Sequence, residues 1–132
     1  MIQEFTTYIE NNTSFTIGTD LFALSTEPLD PDECIVVDMP IPGLANGILT
    51  DYRQIPLRIH ARALTRITAW ENINVVFTAI HGVMQVNLPV VGAGSTYRCN
   101  IVCDTPGFNG LDETKRRHQF VMPVSVTVSN IL

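Results

Sequence analysis

The sequence predicts an α+β fold, in which a mostly antiparallel mixed sheet carries one longer and one short helix packed on one face. Two segments alternate apolar and polar residues, as half-buried strands do, and two others carry apolar residues at helical spacing. The length of 132 residues suits one domain and would be crowded for two. Residues 1–132 are therefore expected to form a single domain.

The N-terminal third predicts a helix, a bent apolar segment and a buried strand. Residues 2–10 place Ile2, Phe5 and Ile9 on one helical stripe. Residues 15–24 are apolar but interrupted by a glycine, which favours a bent strand or a strand entering a turn. Residues 26–33, with two prolines and four acids, predict an exposed loop, and the β-branched run at 34–38 predicts a buried strand.

The segment Pro40–Asp51 is rich in turn residues and is expected to contain no regular element. It is nevertheless apolar for a loop, through Ile41, Leu44, Ile48 and Leu49. A long loop with so much aliphatic surface packs against something, and a second subunit is one candidate.

Residues 55–63 form the clearest strand, because five apolar residues alternate with proline, arginine and histidine. One face enters the core, and the other, with Arg58, His60 and Arg62, is expected to be wet and basic. A helix is predicted from Thr68, which forms a capping-box pattern with Glu71, to a stop at Gly82.

The remaining segments predict three strands. Residues 83–91 contain Pro89, which favours an edge strand, and 92–95 read as a turn. Residues 97–103 alternate, and 104–117 predict a polar loop ending in the basic run Lys115, Arg116 and Arg117. Residues 118–129 predict a long strand, in which Pro123 favours an edge or an interrupted ladder.

The composition argues against two classes of protein, those that bind bare nucleic acid and those that span a membrane. A formal net charge of -5 argues against a protein that grips bare nucleic acid through its overall field. No apolar run is long enough for a membrane span, and the N-terminus does not resemble a signal peptide. With 45% hydrophobic and only 16% charged residues, the chain has much apolar surface to hide, which hints at a partner or an oligomer.

Recognisable reaction chemistry is sparse, so we expect no catalytic, cofactor-binding or metal site and no enzyme activity. The cysteines at 99 and 103 are four residues apart on a predicted strand, roughly 13 Å between α-carbons, which is too far for one zinc. They and Cys34 are expected to be small buried hydrophobes that remain thiols. The Gly92–Thr96 segment lacks the lysine and the helix of a phosphate loop.

Two basic features remain, the stripe on strand 55–63 and the run at 115–117. Each is either a solvated surface or a contact with acids of a neighbouring subunit or with phosphate. The acid-rich loop at 26–33 is a natural complement in another copy.

Two sets of segments follow one another in a recognisable order. The first is Ile17-Gly18-Thr19-Asp20-Leu21-Phe22, followed by Pro28 and Cys34-Ile35-Val36-Val37. The second is Tyr52-Arg53-Gln54-Ile55-Pro56, then the strand to Ala63 and a helix ending at Gly82. In this order they resemble phage minor capsid or tail-terminator-like proteins, a family involved in tail completion and head–tail joining. The resemblance covers roughly residues 5 to 130 and rests on the order of modest motifs.

The resemblance implies a structural virion protein, assembled in the bacterial host cytoplasm. Such proteins form a six-membered ring that ends tail-tube growth and meets the head connector, while DNA passes through the hole without sequence recognition. The implied partners are other copies, the tail tube protein and a head-completion or connector protein. A small α+β ligand-binding or catalytic domain of unknown substrate is the alternative.

If the ring is right, Arg58, His60 and Arg62 and the loop residues Ile41, Leu44, Ile48 and Leu49 are expected at subunit contacts. Lys115, Arg116 and Arg117 are expected to face the lumen, the tube or the connector.

Overall fold

The computed structural model describes residues 1–23, 28, 31–39, 44–45, 53–94, 96–112 and 115–131, with side chains except at 44, 45 and 129–131. Within these ranges the chain forms two helices, α1 (Ile2–Asn12) and α2 (Arg66–Ile80). The strands, in chain order from β1 to β8, are Leu21–Ala23, Cys34–Asp38, Leu44–Ala45, Arg53–Ala63, Val83–Asn87, Tyr97–Cys103, Gly107–Asp112 and Arg117–Ile131.

The described strands form one mixed sheet in the order β1-β2-β4-β8-β6-β5. The β1–β2 pair is parallel and the other pairs are antiparallel. The two longest strands, β4 and β8, pair over eleven positions from Arg53↔Val128 to Ala63↔His118. This single α+β sheet domain confirms the predicted fold class.

The core lies between the helices and one face of the sheet. Side chains of β4 and β8 that face each other in register, such as Ile59 and Met122, are fully buried. Helix residues including Phe5 and Ile73 belong to the same cluster. The alternation at 55–63 and 118–129 therefore predicted the core face correctly.

Helix α2 begins three residues earlier than the sequence suggested. Its N-cap is Thr65, whose hydroxyl oxygen accepts a hydrogen bond from the Thr68 backbone N–H at 3.2 Å. The capping-box prediction at Thr68 is wrong because Thr65 offers the same hydroxyl one turn earlier. At the other end, the helix closes at His81, and Gly82 follows with a φ of +77°.

Two expected loops contain strands. Residues 104–117, expected to be a loop, include β7, which pairs with the start of β8 and places Phe108 opposite Phe120. The predicted loop at 40–51 includes the two-residue β3, paired with Gln54 and Arg53. Both short strands use backbone pairing offered by a long neighbour, a tertiary effect that local composition does not reveal.

Pro123 marks an interruption in the ladder of a central strand. On the flank away from β4, β8 pairs with β7 as far as Val121 and with β6 from Val124. The Pro123 carbonyl accepts from the Asp104 backbone N–H on that flank at 2.9 Å. Because the N–H and C=O of a strand residue point to the same side, the proline nitrogen faces the gap where β8 changes partner. Of the two alternatives for Pro123, the interrupted ladder is the correct one. The edge strand predicted within residues 83–91 is confirmed, because β5 lies at the end of the sheet order.

Candidate interaction surfaces

A cluster of charged side chains lies on the sheet face opposite the core, where β2 meets β4. Asp38 and Arg58 are direct cross-strand partners. The Arg58 guanidinium donates to both carboxylate oxygens, with Nη2–Oδ2 at 3.1 Å and Nε–Oδ1 at 3.3 Å. The same Oδ2 lies 3.3 Å from His60 Nε2. The Asp38 carboxylate on β2 therefore lies close to two members of the basic stripe, Arg58 and His60.

The expectation of a wet basic face on β4 is wrong for two of its three residues. His60 and Arg62 are only 8% and 5% exposed, whereas the Arg58 side chain is 42% exposed. The side-chain amide of Gln119 lies 3.1 Å from His60 Nδ1, and Arg62 donates to the Pro31 carbonyl at 2.8 Å. These neighbours come from β8 and from the segment before β2, and periodicity within β4 could not predict them.

The basic run at 115–117 is divided by the start of β8. Lys115 and Arg116 lie exposed in the β7–β8 turn, where Arg116 has a φ of +56°. Arg117 is 6% exposed, with its Nη2 2.7 Å and its Nε 2.8 Å from Asp32 Oδ1. The prediction that Arg117 faces outward with its neighbours is therefore wrong, because it is bound within its own chain.

Two residues just before β2 bind arginines of the same molecule. The pairing proposed between copies is made intramolecularly by Asp32 with Arg117, and the Pro31 carbonyl binds Arg62. A polar depression of about 260 Å³ lies beside these arginines and is also lined by Asn109 and Gln119. Its two cationic groups already bind oxygen atoms of the chain.

The three cysteines are buried thiols, as predicted. Burial raises the pKa of Cys99 to about 11. Burial, helped by the nearby Asp104 carboxylate, raises the pKa of Cys103 to about 12. Thiols held in the protonated state are weak nucleophiles and poor metal ligands. Among the described residues, no group of three or more His, Cys, Asp or Glu side chains is placed to bind a metal ion.

Two other features of interest have structural roles. His81 Nδ1 accepts a hydrogen bond from the Cys103 backbone N–H at 3.0 Å, and its ring stacks on Phe77 with centroids 4.6 Å apart. His81 therefore joins α2 to β6. The glycine-rich segment after β5 forms a turn, with Gly94 N–H donating to the Val91 carbonyl at 2.8 Å.

One feature that the sequence did not reveal is a set of exposed apolar side chains on the outer side of α2 and on β7. It consists of Ile67, Trp70, Val75 and Phe108, which are 69%, 43%, 45% and 42% exposed. We call these four residues the Trp70 band. Trp70 and Phe108 each lie 5.3 Å, between ring centroids, from the buried Phe120, which joins the helical and strand parts of the band.

A sequence signal for this band exists in the charge content of α2. The helix Arg66–Ile80 contains only two charged residues, Arg66 and Glu71, although one of its faces is free of the sheet. A helix that is apolar on more than one face is usually covered on both. The apolar pattern of the sequence predicted only the core stripe at 73, 76, 77 and 80.

The predicted aliphatic contact loop is largely outside the described residues. Ile41, Ile48 and Leu49 fall there, and Leu44 is described only through its backbone pairing in β3. Their expected place at a subunit contact stays a prediction.

A comparison with protein-family models finds no match, and a comparison with curated proteins finds no related sequence. No helix among the described residues is long and apolar enough to cross a membrane. The structure thus defines a class, a small α+β domain with a partly buried charge cluster and a set of exposed apolar side chains on α2 and β7. The resemblance to tail-terminator-like proteins stays a prediction.

Proposed function

We propose that this chain is a structural virion protein that forms a ring, six-membered as the resemblance implies, at the head-proximal end of a phage tail or in the neck. The ring ends growth of the tail tube and joins the tail to the head connector. The observation that carries the proposal is the Trp70 band, since large apolar side chains left exposed on neighbouring elements are typical of an interaction site.

The order of the elements supports the proposal. The resemblance implies a sheet with flanking helices in a chain of this size, and the described elements have that arrangement. In particular, the segment that resembles the family's middle block is the long strand β4 followed directly by α2. Fold alone hosts many functions, so the exposed surface carries more weight here than the architecture.

The charge of the chain fits a conduit for DNA. A net charge of -5 opposes tight binding of phosphates, and DNA must slide through such a ring without being clamped. Lys115 and Arg116 remain exposed at the tip of the β7–β8 hairpin and are candidates to touch the lumen, the tail tube protein or the connector. Arg58, which donates to Asp38 of its own chain, is the member of the basic stripe that keeps a large exposed fraction.

The alternative, a small ligand-binding or catalytic domain, has the polar depression at Arg62 and Arg117 as its best candidate site. Both guanidinium groups already bind Asp32 or the Pro31 carbonyl, so an anionic ligand would have to displace these contacts. This arrangement favours the assembly role.

Mass spectrometry of purified virions tests the proposal. The chain should be found in virions in a few copies per particle, together with the tail tube and connector proteins. Phages lacking it should make tails of uncontrolled length that fail to join heads. Virions free of the chain, or normal tails and head joining without it, would overturn the proposal.

A further inference from the structure

Charge is divided unequally along the sequence. Residues 1–52 contain nine acidic residues and no lysine or arginine, whereas residues 53–132 contain four acidic and eight basic residues. In the sheet, the acidic part supplies β1 and β2, which lie on one side of β4. The basic part supplies β7, which lies beyond β8 on the other side. Part of this charge is neutralised where the two parts meet, at Asp32–Arg117 and Asp38–Arg58, and the Glu10 and Asp20 carboxylates lie near β1.

The Trp70 band has one cation and one anion close to it. The Arg66 guanidinium carbon lies 4.2 Å from the centroid of the Phe108 ring, so a cation sits directly on the band. Lys115 and Arg116 are exposed at the tip of the hairpin that carries Phe108. One acid, Glu71, lies in the shallow groove that runs along Trp70 and Val75.

A second apolar feature is a groove of about 370 Å³ between α1 and β1. Ile17, Leu21 and Phe22 line it from the strand side, and Thr7 lines it from α1. Two carboxylates flank Ile17. Glu10 accepts from the Ile17 backbone N–H at 2.7 Å, and Asp20 accepts from the Thr16 backbone N–H at 2.6 Å. We call this feature the α1–β1 groove.

We propose that the Trp70 band of one copy binds the α1–β1 groove of the next copy, an inference that rests on the proposed ring function. The Arg66 cation on the band and the Glu10 and Asp20 carboxylates beside the groove have opposite charge, so both the hydrophobic and the electrostatic terms favour this pairing over band against band. The two surfaces are different, so the contact is heterologous and leaves each copy with one free band and one free groove. Such contacts propagate and close into a ring when the rotation per copy allows it.

Single substitutions on each surface test the proposal, measured by sedimentation and native mass spectrometry over a wide concentration range. Ile67→Asp places a carboxylate in the band, and Thr7→Arg places a cation in the groove, where it would meet Arg66 of the band. Each should weaken self-association by about 30-fold or more, the loss expected at the centre of an interface. Met84→Asp, at a side chain 65% exposed on β5, and Asn12→Arg, exposed on α1, are matched controls that should assemble as the wild type does.

A mixing experiment identifies the geometry. Ile67→Asp copies keep an intact groove, and Thr7→Arg copies keep an intact band. A one-to-one mixture should therefore form a dimer of about 29 kDa and nothing larger, although each variant alone is a monomer of 14.6 kDa. Val75→Asp serves as a second band variant, and circular dichroism checks that every variant is folded.

Three outcomes would overturn the inference. Normal self-association of Thr7→Arg copies would show that the groove is not used. Normal self-association of both single band variants, Ile67→Asp and Val75→Asp, would show that the band is not used. A wild-type chain that remains monomeric at every concentration would also overturn it. In each case the proposed function is judged separately, by the presence of the chain in purified virions.

Discussion

The Arg117 guanidinium and the Asp32 carboxylate form an ion pair between residues that are 85 positions apart in the sequence, with Nη2 2.7 Å from Oδ1. Arg117 is the first residue of β8, and Asp32 lies in the short segment before β2. The contact fixes that segment over the end of β4, where its Pro31 carbonyl also binds Arg62. A charge that the sequence suggested for binding a partner is used to close the fold.

Replacing Asp32 with asparagine should lower the free energy of unfolding by about 1–2 kcal/mol, because a buried guanidinium loses a charged acceptor that is itself half exposed. Urea denaturation measures the change. The neighbouring Glu33→Gln variant is the control, since Glu33 accepts only an exposed hydrogen bond from Asn72 and an amide oxygen can replace it. Equal stability losses for the two variants would contradict the structural role assigned to Asp32.

Thr65→Ala should cost about 1 kcal/mol of stability, because it removes the hydroxyl that accepts from the Thr68 backbone N–H at the start of α2. Thr65→Asp should retain most of the stability, since aspartate is also a good N-cap. Thr68→Ala should cost less than Thr65→Ala, as its hydroxyl binds only the Thr65 hydroxyl. If the order of the two alanine variants in urea denaturation were reversed, α2 would begin at Thr68 as the sequence suggested.

Gly94→Ala should destabilise the fold by about 1–3 kcal/mol, because a β-carbon there would overlap the Glu4 carboxylate and lie 2.8 Å from the Val91 carbonyl oxygen. Glu4 is only 4% exposed and has little room to move away. Gly107→Ala is the matched control, since no atom lies within 4 Å of the added carbon. Thermal unfolding of both variants decides the point, and similar melting temperatures would argue against close packing of the turn on α1.

Alkaline pH should destabilise the protein through its buried cysteines. Burial raises the pKa of Cys99 to about 11 and of Cys103 to about 12, from an ordinary value of 9.0. Between pH 9 and 11 the unfolded chain loses thiol protons that the folded chain keeps. These thiols therefore do not lower the free energy of unfolding below pH 9. Above pH 9 that free energy falls by up to about 1.4 kcal/mol per pH unit for each thiol.

A Cys99→Ala/Cys103→Ala double variant isolates this effect. Its free energy of unfolding should fall less steeply between pH 9 and 11 than that of the wild type, after allowance for its lower stability at neutral pH. The same thiols should react with a thiol-specific dye only on unfolding. Rapid labelling of the folded protein, or parallel pH profiles for the two proteins, would contradict the burial of these groups.

The sequence predicted the core better than the surface. Alternation at 55–63 and 118–129 depends on which side of a strand is buried, a property carried by each segment alone, and it identified Ile59 and Met122 correctly. The burial of His60, Arg62 and Arg117 depends on partners from distant segments, so no local pattern showed it. β7 was missed for the same reason, because it pairs with β8 through a backbone ladder and has little apolar alternation of its own.

The sequence predicted part of the candidate interaction surface. Low charge suggested an oligomer, but the expected contacts included the basic stripe and not the outer face of α2. The sequence of α2 has one apolar and one polar face only if Ile67, Trp70 and Val75 are left out. Counting charged residues around the whole helix, rather than finding one apolar stripe, would have indicated a second covered face.

Electron microscopy of purified tail tubes incubated with the protein tests the central claim most directly. We expect a ring with an open centre on one end of each tube, built from identical copies and close to 88 kDa for six chains of 14.6 kDa. The Ile67→Asp variant should leave the tube ends bare. A protein that stays monomeric and leaves both ends of the tubes uncapped would contradict the account.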